Sequence, residues 1–303
     1  MIDLVRDEVI RSSAFAFLRT VQLRTGGPVR FDDVSTFVVD GNTMALLDRQ
    51  RGIRKPALLD GALSFRTVHA PRPDRRPYDD EAGSDGYLRY KYRGENPDHP
   101  ENLAMRQALT YRLPLIWFQG IDTGLYLPVF PVWLVSEERA LLQFVVALDM
   151  SQLEGWDAST PDERPLLRRY NERVVRDRLH QPLFRQRVLA AYEQKCAVCR
   201  LRHVALLDAA HVKGDADNGE PIVPNGIAMC KLHHAAFDAS LMGIDSDYVV
   251  HIRPDVRAEE DGPTLRYALQ GVHGRPLEVP KRRAARPDRD LLAERFTRFL
   301  EAS

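Results

Sequence analysis

Cys196-Ala197-Val198-Cys199 and, after residues 200–229, Cys230-Lys231-Leu232-His233 decide how the second half of this 303-residue chain is read. A C-x-x-C turn and a C-x-x-H turn together offer four sulfur or nitrogen donors, the set that a tetrahedral zinc ion takes. The chain has 3 cysteines and all of them stand at these positions. The alternative, ordinary buried thiols, has to treat that clustering as coincidence. An odd cysteine count also argues against a disulfide framework. Four protein donors leave no open coordination position. Cys196, Cys199, Cys230 and His233 are therefore expected to hold a structural zinc ion, pinning a small unit that has little core of its own.

Between and beside these pairs lie Leu207-Asp208-Ala209-Ala210-His211-Val212, Asn225-Gly226-Ile227-Ala228-Met229 and His234-Ala235-Ala236-Phe237-Asp238. His211, Asn225 and His234 follow one another at separations of 14 and 9 residues. This ordered set inside a metal frame resembles the HNH, or ββα-metal, endonuclease family, over roughly a fifth of the chain. The resemblance implies that His211 ends the first strand and is the general base. It implies that Asn225 holds the hairpin and His211 in orientation, and that His234 binds a catalytic Mg2+ or Mn2+ ion. The residue types suit phosphodiester hydrolysis, which needs a base for water and a cation to offset charge on the phosphate. An imidazole titrating near neutrality is a suitable base.

One position departs from the family. Many members place a metal-binding Asp or His directly before the base, where this chain has Ala210. Asp208, the nearest carboxylate, is the candidate second ligand; a strand-end Asp that hydrogen-bonds backbone is the alternative. Asp238 is read as an orienting or capping residue and not as a ligand. Asp215, Asp217 and Asn218 with Gly219 look like the start of a calcium loop but lack the bidentate acid, and read as a solvated hairpin turn. His203 is off-register beside the zinc pair and reads as surface. His69, His99, His251 and His273 have no partner pattern.

Upstream, residues 3–24 carry Leu4, Ile10, Phe15, Leu18 and Val21 at helical spacing, ended by Gly26-Gly27-Pro28. Residues 31–39 read as a second helix, giving a small helical or winged-helix-like start. Residues 70–86 read as an exposed loop. From Tyr87 to Arg93 the residues alternate, with Tyr87, Arg89, Lys91 and Arg93 on one face and Leu88, Tyr90 and Tyr92 on the other. Runs at 113–118, 126–135 and 141–148 read as strands. Residues 60–150 thus form a mostly antiparallel β unit, 151–165 a linker, and the fold class is α+β. The expected domains are 1–165 and 166–303, the second with a nuclease core at 181–250 and a C-terminal extension.

Gly52-Ile53-Arg54-Lys55-Pro56, Tyr90-Lys91-Tyr92-Arg93-Gly94 and Pro114-Leu115-Ile116-Trp117-Phe118 resemble the N-terminal region of bacterial HNH restriction endonucleases. That resemblance implies a DNA-reading module, of PUA-like or SRA-like β-barrel type, that in modification-dependent enzymes flips a methylated base into an aromatic pocket. Arg89, Lys91 and Arg93 are candidates for phosphate tracking, and Tyr90, Tyr92 and Trp117 for stacking. Aromatic residues on strands are also ordinary core. Eight arginines between 164 and 187 are either a solvated face or a further DNA contact.

Lys plus Arg and Asp plus Glu are both 43, so any footprint for a polyanion has to be local. No apolar run has membrane-span length and no leader pattern is present, so a cytoplasmic location is expected. The expected partner is double-stranded DNA, plain or methylated. One such site cuts one strand, and a homodimer is the commonest way to cut two. A restriction or defence endonuclease is the first reading. A repair or homing nuclease shares its chemistry, and a zinc-stabilised DNA-binding module would have no need of His211 and His234 at those offsets.

Overall fold

The computed structural model describes residues 3–68, 83, 85–158, 164–214, 217, 219–260 and 262–302. Most of the loop expected at 70–86 lies outside the described residues, as do His69, Asp215 and Asn218. The chain divides into two compact units, Met1–Leu179 and His180–Ser303.

The first unit opens with α1 (Leu4–Thr25), capped by the Asp3 carboxylate, which accepts from the Arg6 N–H at 3.1 Å, and ended by Gly26 in the left-handed region. Ile10, Ala14, Leu18 and Val21 form its buried stripe, while Leu4 is exposed. One turn apart on the same face, Asp7 and Arg11 form a fully buried ion pair, and Arg11 also donates to the Pro114 carbonyl at 2.7 Å. After β1 (Val29–Arg30), the expected second helix is only the single turn α2 (Phe31–Val34). Strands β2 (Phe37–Val39) and β3 (Asn42–Met44) follow as a hairpin. Its turn is Asp40-Gly41, both at positive φ, the residue pair that a two-residue hairpin loop favours.

The remaining strands are β4 (Ile53–Arg54), β5 (Ser64–Arg66), β6 (Leu88–Lys91), β7 (Leu115–Asp122), β8 (Leu125–Glu138) and β9 (Gln143–Ala147). They form a seven-stranded sheet in the order β4-β5-β7-β8-β9-β6, with β1 paired to β8. The β5–β7 pair is parallel and the other pairs are antiparallel. Helix α3 (Pro100–Thr110), with Pro100 in its first turn, was not foreseen. It explains why β7 is apolar on both faces. Leu115 and Trp117 pack with Ala104, Met105 and Ala108 of α3, and Ile116 and Phe118 pack into the core under α1. A strand covered by helices on both sides reads as a continuous apolar run. The expected linker at 151–165 is instead occupied at its start by helix α4 (Met150–Ala158), and α5 (Arg164–Val175) also belongs to the first unit.

In the second unit, α6 (Gln181–Ala191) packs on a hairpin of β10 (Leu207–His211) and β11 (Gly226–Cys230). The close approach depends on Gly226, where a Cβ would lie 2.4 Å from Val188 Cγ2 and 2.7 Å from Phe184 Cζ. Strand β11 runs directly into α7 (Lys231–Asp238), giving the expected ββα order. A second hairpin, β12 (Met242–Ile244) with β13 (Val250–Ile252), the short α8 (Pro254–Ala258) and the terminal helix α9 (Arg289–Glu301) complete the unit. With helices and mostly antiparallel strands in both units, the fold class is α+β.

Candidate active site and metal centre

The C-x-x-C turn is fastened to the hairpin by the Ala197 N–H, which donates to the Ala228 carbonyl at 2.7 Å. That contact brings Cys196 and Cys199 to the first turn of α7, where Cys230 and His233 sit. The four donor atoms lie within 4.8 Å of one another. Cys199 Sγ is 3.9 Å from Cys230 Sγ, and His233 Nδ1 is 3.6 Å from Cys196 Sγ and 3.1 Å from Cys230 Sγ. A tetrahedral ion with zinc's bond lengths sets its donors roughly 3.5–3.8 Å apart; the His233–Cys196 separation matches that spacing, the Cys199–Cys230 separation is close to it, and His233 stands nearer to Cys230 than a shared ion would set it. His233 Nε2 lies 2.7 Å from the Ala268 carbonyl, which fixes the ring so that Nδ1 faces the sulfurs.

The charges point the same way. Hydrogen bonding to Cys196 and Cys199 lowers the pKa of Cys230, while hydrogen bonding to Cys196 and Cys230 raises that of Cys199. Three sulfurs this close resist becoming three thiolates unless a cation lies among them. The quartet can hold a metal ion.

His211 ends β10, paired with Gly226, and its ring stacks on Phe184 of α6 with centroids 4.1 Å apart. Beyond it the chain leaves the hairpin and returns at Asn225, which is fully buried. Asn225 Oδ1 accepts from the Lys213 N–H at 2.8 Å, and its Nδ2 donates to the Lys213 carbonyl at 3.0 Å and the Glu220 carbonyl at 2.9 Å. Its carbonyl accepts from the Val212 N–H at 2.9 Å. Asn225 thus latches both ends of the loop, and the side-chain amide is spent on backbone.

On the first turns of α7, His234 sits between two carboxylates. Its Nδ1 is 3.7 Å from Asp208 Oδ2 and its Nε2 is 3.1 Å from Asp238 Oδ2. Hydrogen bonding to Asp208, and then to Asp238, raises the His234 pKa to about 9. Because the carboxylates flank opposite ring nitrogens, a cation on one nitrogen has one carboxylate beside it and the other behind the ring as an orienting acceptor. Asp208 Oδ1 also accepts from the Ala209 N–H at 2.9 Å, so both readings of Asp208, ligand and strand-end backbone acceptor, describe one of its oxygens.

Two arginines brace this arrangement. Arg185 of α6 donates to the Leu207 carbonyl at 2.7 Å and pairs with Asp208 at 3.5 Å. Arg295 of α9 pairs with Asp238 at 3.1 Å. Burial lowers the pKa of both guanidinium groups. Arg185 is one of the eight arginines expected to form a solvated face or a DNA contact, and Arg295 carries no local signal in the sequence.

The HNH endonuclease family model matches residues 196–245. This stretch is an HNH endonuclease domain. It makes the chain a phosphodiester-cleaving enzyme. No curated protein sequence matches the chain. Among solved structures, the "Modification dependent TagI restriction endonuclease" is 18% identical, with a TM-score of 0.33, the match covering 82% of this chain and 85% of that one. The Type IV phosphorothioation-dependent restriction endonuclease ScoMcrA is 14% identical with a TM-score of 0.25, over 62% of this chain and 48% of that one. Overlaps this loose carry no argument about either unit's fold.

Outside the HNH domain, the structure leaves only Arg93 of the six candidate DNA-reading residues exposed. Tyr90, Tyr92 and Trp117 are buried in the core between sheet and α3. Trp117 Nε1 donates to Thr67 Oγ1 at 3.3 Å, and the Tyr92 hydroxyl donates to Glu137. Those rings are corrected from stacking platforms to core. Arg89 is held by Asp85 at 2.8 Å and Glu138 at 3.1 Å, and Lys91 Nζ donates to Gln143 Oε1 at 2.6 Å. Alternation along β6 was read correctly, but its polar face is spent on neighbouring side chains; Arg93, just past the strand, stays exposed. His251, expected to have no partner, lies 2.8 Å from Asp245.

Proposed function

We propose that the chain is a DNA endonuclease of restriction or defence type. The observation that carries this reading is the HNH domain's own arrangement, with His211 at a strand end, Asn225 latching the loop behind it, and His234 between Asp208 and Asp238. In this reading His211 takes the proton from the attacking water, and the Phe184 ring holds its imidazole plane in place. Asn225 acts on no reacting atom; it keeps the chain leaving His211 in one path. His234 and Asp208 hold the catalytic Mg2+ or Mn2+ ion, and Asp238 orients the His234 ring from its other nitrogen. The bound ion supplies charge to offset the phosphate and the leaving oxygen. Cys196, Cys199, Cys230 and His233 hold a structural zinc ion.

Small nuclease domains contact mostly DNA backbone, which carries no sequence information. Residues 1–179 are the part of the chain large enough to restrict cutting, and modified DNA, with 5-methylcytosine first, is the substrate feature we assign to them. Both structural neighbours are named for modification dependence, which is said of those proteins. Purified protein with Mg2+ or Mn2+ should cut a methylated plasmid at least tenfold faster than its unmethylated twin. Equal rates would remove the modified-cytosine reading and leave the nuclease; no cutting of either plasmid, with zinc bound, would count against the nuclease itself.

A further inference from the structure

The nuclease motif lies on β10, β11 and α7, yet the side chain that touches both its strand end and its helix comes from α9. Arg295 Nη1 donates to the His211 carbonyl at 3.2 Å and to the Val212 carbonyl at 3.2 Å. Its Nη2 donates to the Phe237 carbonyl at 3.0 Å and to Asp238 Oδ1 at 3.1 Å. The guanidinium plane lies over the Phe237 ring, 3.8 Å from its centroid. Every contact therefore falls either on the backbone that leaves the proposed base or on the end of the helix that carries His234. The residues on either side along the same face of α9 grip the loop that Asn225 closes. Glu294 pairs with Lys213 at 3.6 Å, and Arg298 pairs with Asp217 at 2.6 Å.

We propose that Arg295 is a positioning residue of the nuclease, holding the His211 end of β10 and the Asp238 carboxylate beside His234 in one fixed relation. This rests on the reading of His211 as base and His234 as metal ligand. Only a planar fork can serve two backbone carbonyls on one side and a carbonyl plus a carboxylate on the other. Without it, the chain leaving His211 and the last turn of α7 lose a side chain that hydrogen-bonds to both. Asp238 then loses its second partner and is free to swing from His234 Nε2. Arg295 lies outside the stretch that the family model matches.

The test uses full-length, zinc-loaded protein carrying Arg295→Ala, Arg295→Lys or His211→Ala. Misplacing reacting groups by about an ångström costs on the order of a hundredfold in rate. Arg295→Ala should keep its zinc and its affinity for duplex DNA, cut roughly a hundredfold more slowly, and bind Mn2+ several-fold more weakly by electron paramagnetic resonance. Arg295→Lys, which keeps the charge but not the fork, should recover part of both losses. Parent-like rate and Mn2+ affinity in both variants overturn the proposal. Loss of zinc or of the melting transition in both overturns it as well, since Arg295 would then hold the fold and not the site. If His211→Ala no longer cuts while both Arg295 variants cut normally, the positioning role falls and the base stands. If His211→Ala cuts at the parent rate, the base reading falls, and Mn2+ binding by the Arg295 variants decides their role.

Discussion

Of the four sulfur and nitrogen donors, Cys196, Cys230 and His233 are between 0 and 6% exposed and Cys199 is exposed, whereas the carboxylates of Asp208 and Asp238 are 42% and 57% exposed. Both groups consist of metal-ligating residue types within one ββα unit. Three of the quartet's members are shut in by one another and by the Ala268 carbonyl, with Cys199 at the solvent edge. The second group is closed only by arginines, and its oxygens face water. A closed donor set gives its binding energy to the fold. An open one keeps room for a substrate oxygen. His233 and His234, adjacent in sequence, face different surroundings, one the three sulfurs and the other two carboxylates, because neighbouring residues on a helix point about 100° apart.

The sharpest way to break this comparison is His211→Ala. General bases contribute about 10²–10⁴-fold, so cleavage of supercoiled plasmid should fall by that much while zinc content and melting stay at parent values. A variant that cuts at the parent rate removes His211 as base. Next in size is Cys196→Ala, expected to release the zinc that metal analysis of the parent should find at about one per chain, and to cost several kcal/mol in the second unit's transition. An unchanged melting curve in zinc-free protein would show that the quartet does not support the fold.

Asn225→Ala is the smallest of the three. It leaves the Lys213 N–H and two carbonyls without their buried partner, which costs about 1–3 kcal/mol. It should also slow cutting without moving metal content. Chemical denaturation read alongside cleavage would separate the effects; a stability loss with full activity would confine Asn225 to the loop's integrity.

The HNH domain was legible in the sequence because its signals are local. Ligand pairs sit one helical turn or one knuckle apart, and His211, Asn225 and His234 lie within 24 residues of one another. The fold class was also legible, since strand alternation and helical spacing are local too. What failed depended on partners distant in sequence. Trp117 and Tyr90 looked available for a base because nothing nearby foretold that α3 would cover that face of the sheet. Arg89 has one partner of each kind: Asp85, four positions before it, was within local reach, whereas Glu138 lies 49 positions along the chain. Arg295 is 84 positions from the carbonyl of His211. The helix expected over residues 31–39 was an error of another kind, because Asp40-Gly41 is itself a short-range hairpin signal.

The pairing of β10 with β11 sets Leu207 opposite Cys230 and His211 opposite Gly226. Side chains on a strand alternate between faces, so a slip of one residue would turn every one of them over. On β11 such a slip would send Cys230 away from the three other donors, and on β10 it would send His211 away from Phe184. Either failure needs a displacement of only one residue. The four-donor knot therefore works as a parity check on β11, and the stacking of His211 on Phe184 as the matching check on β10.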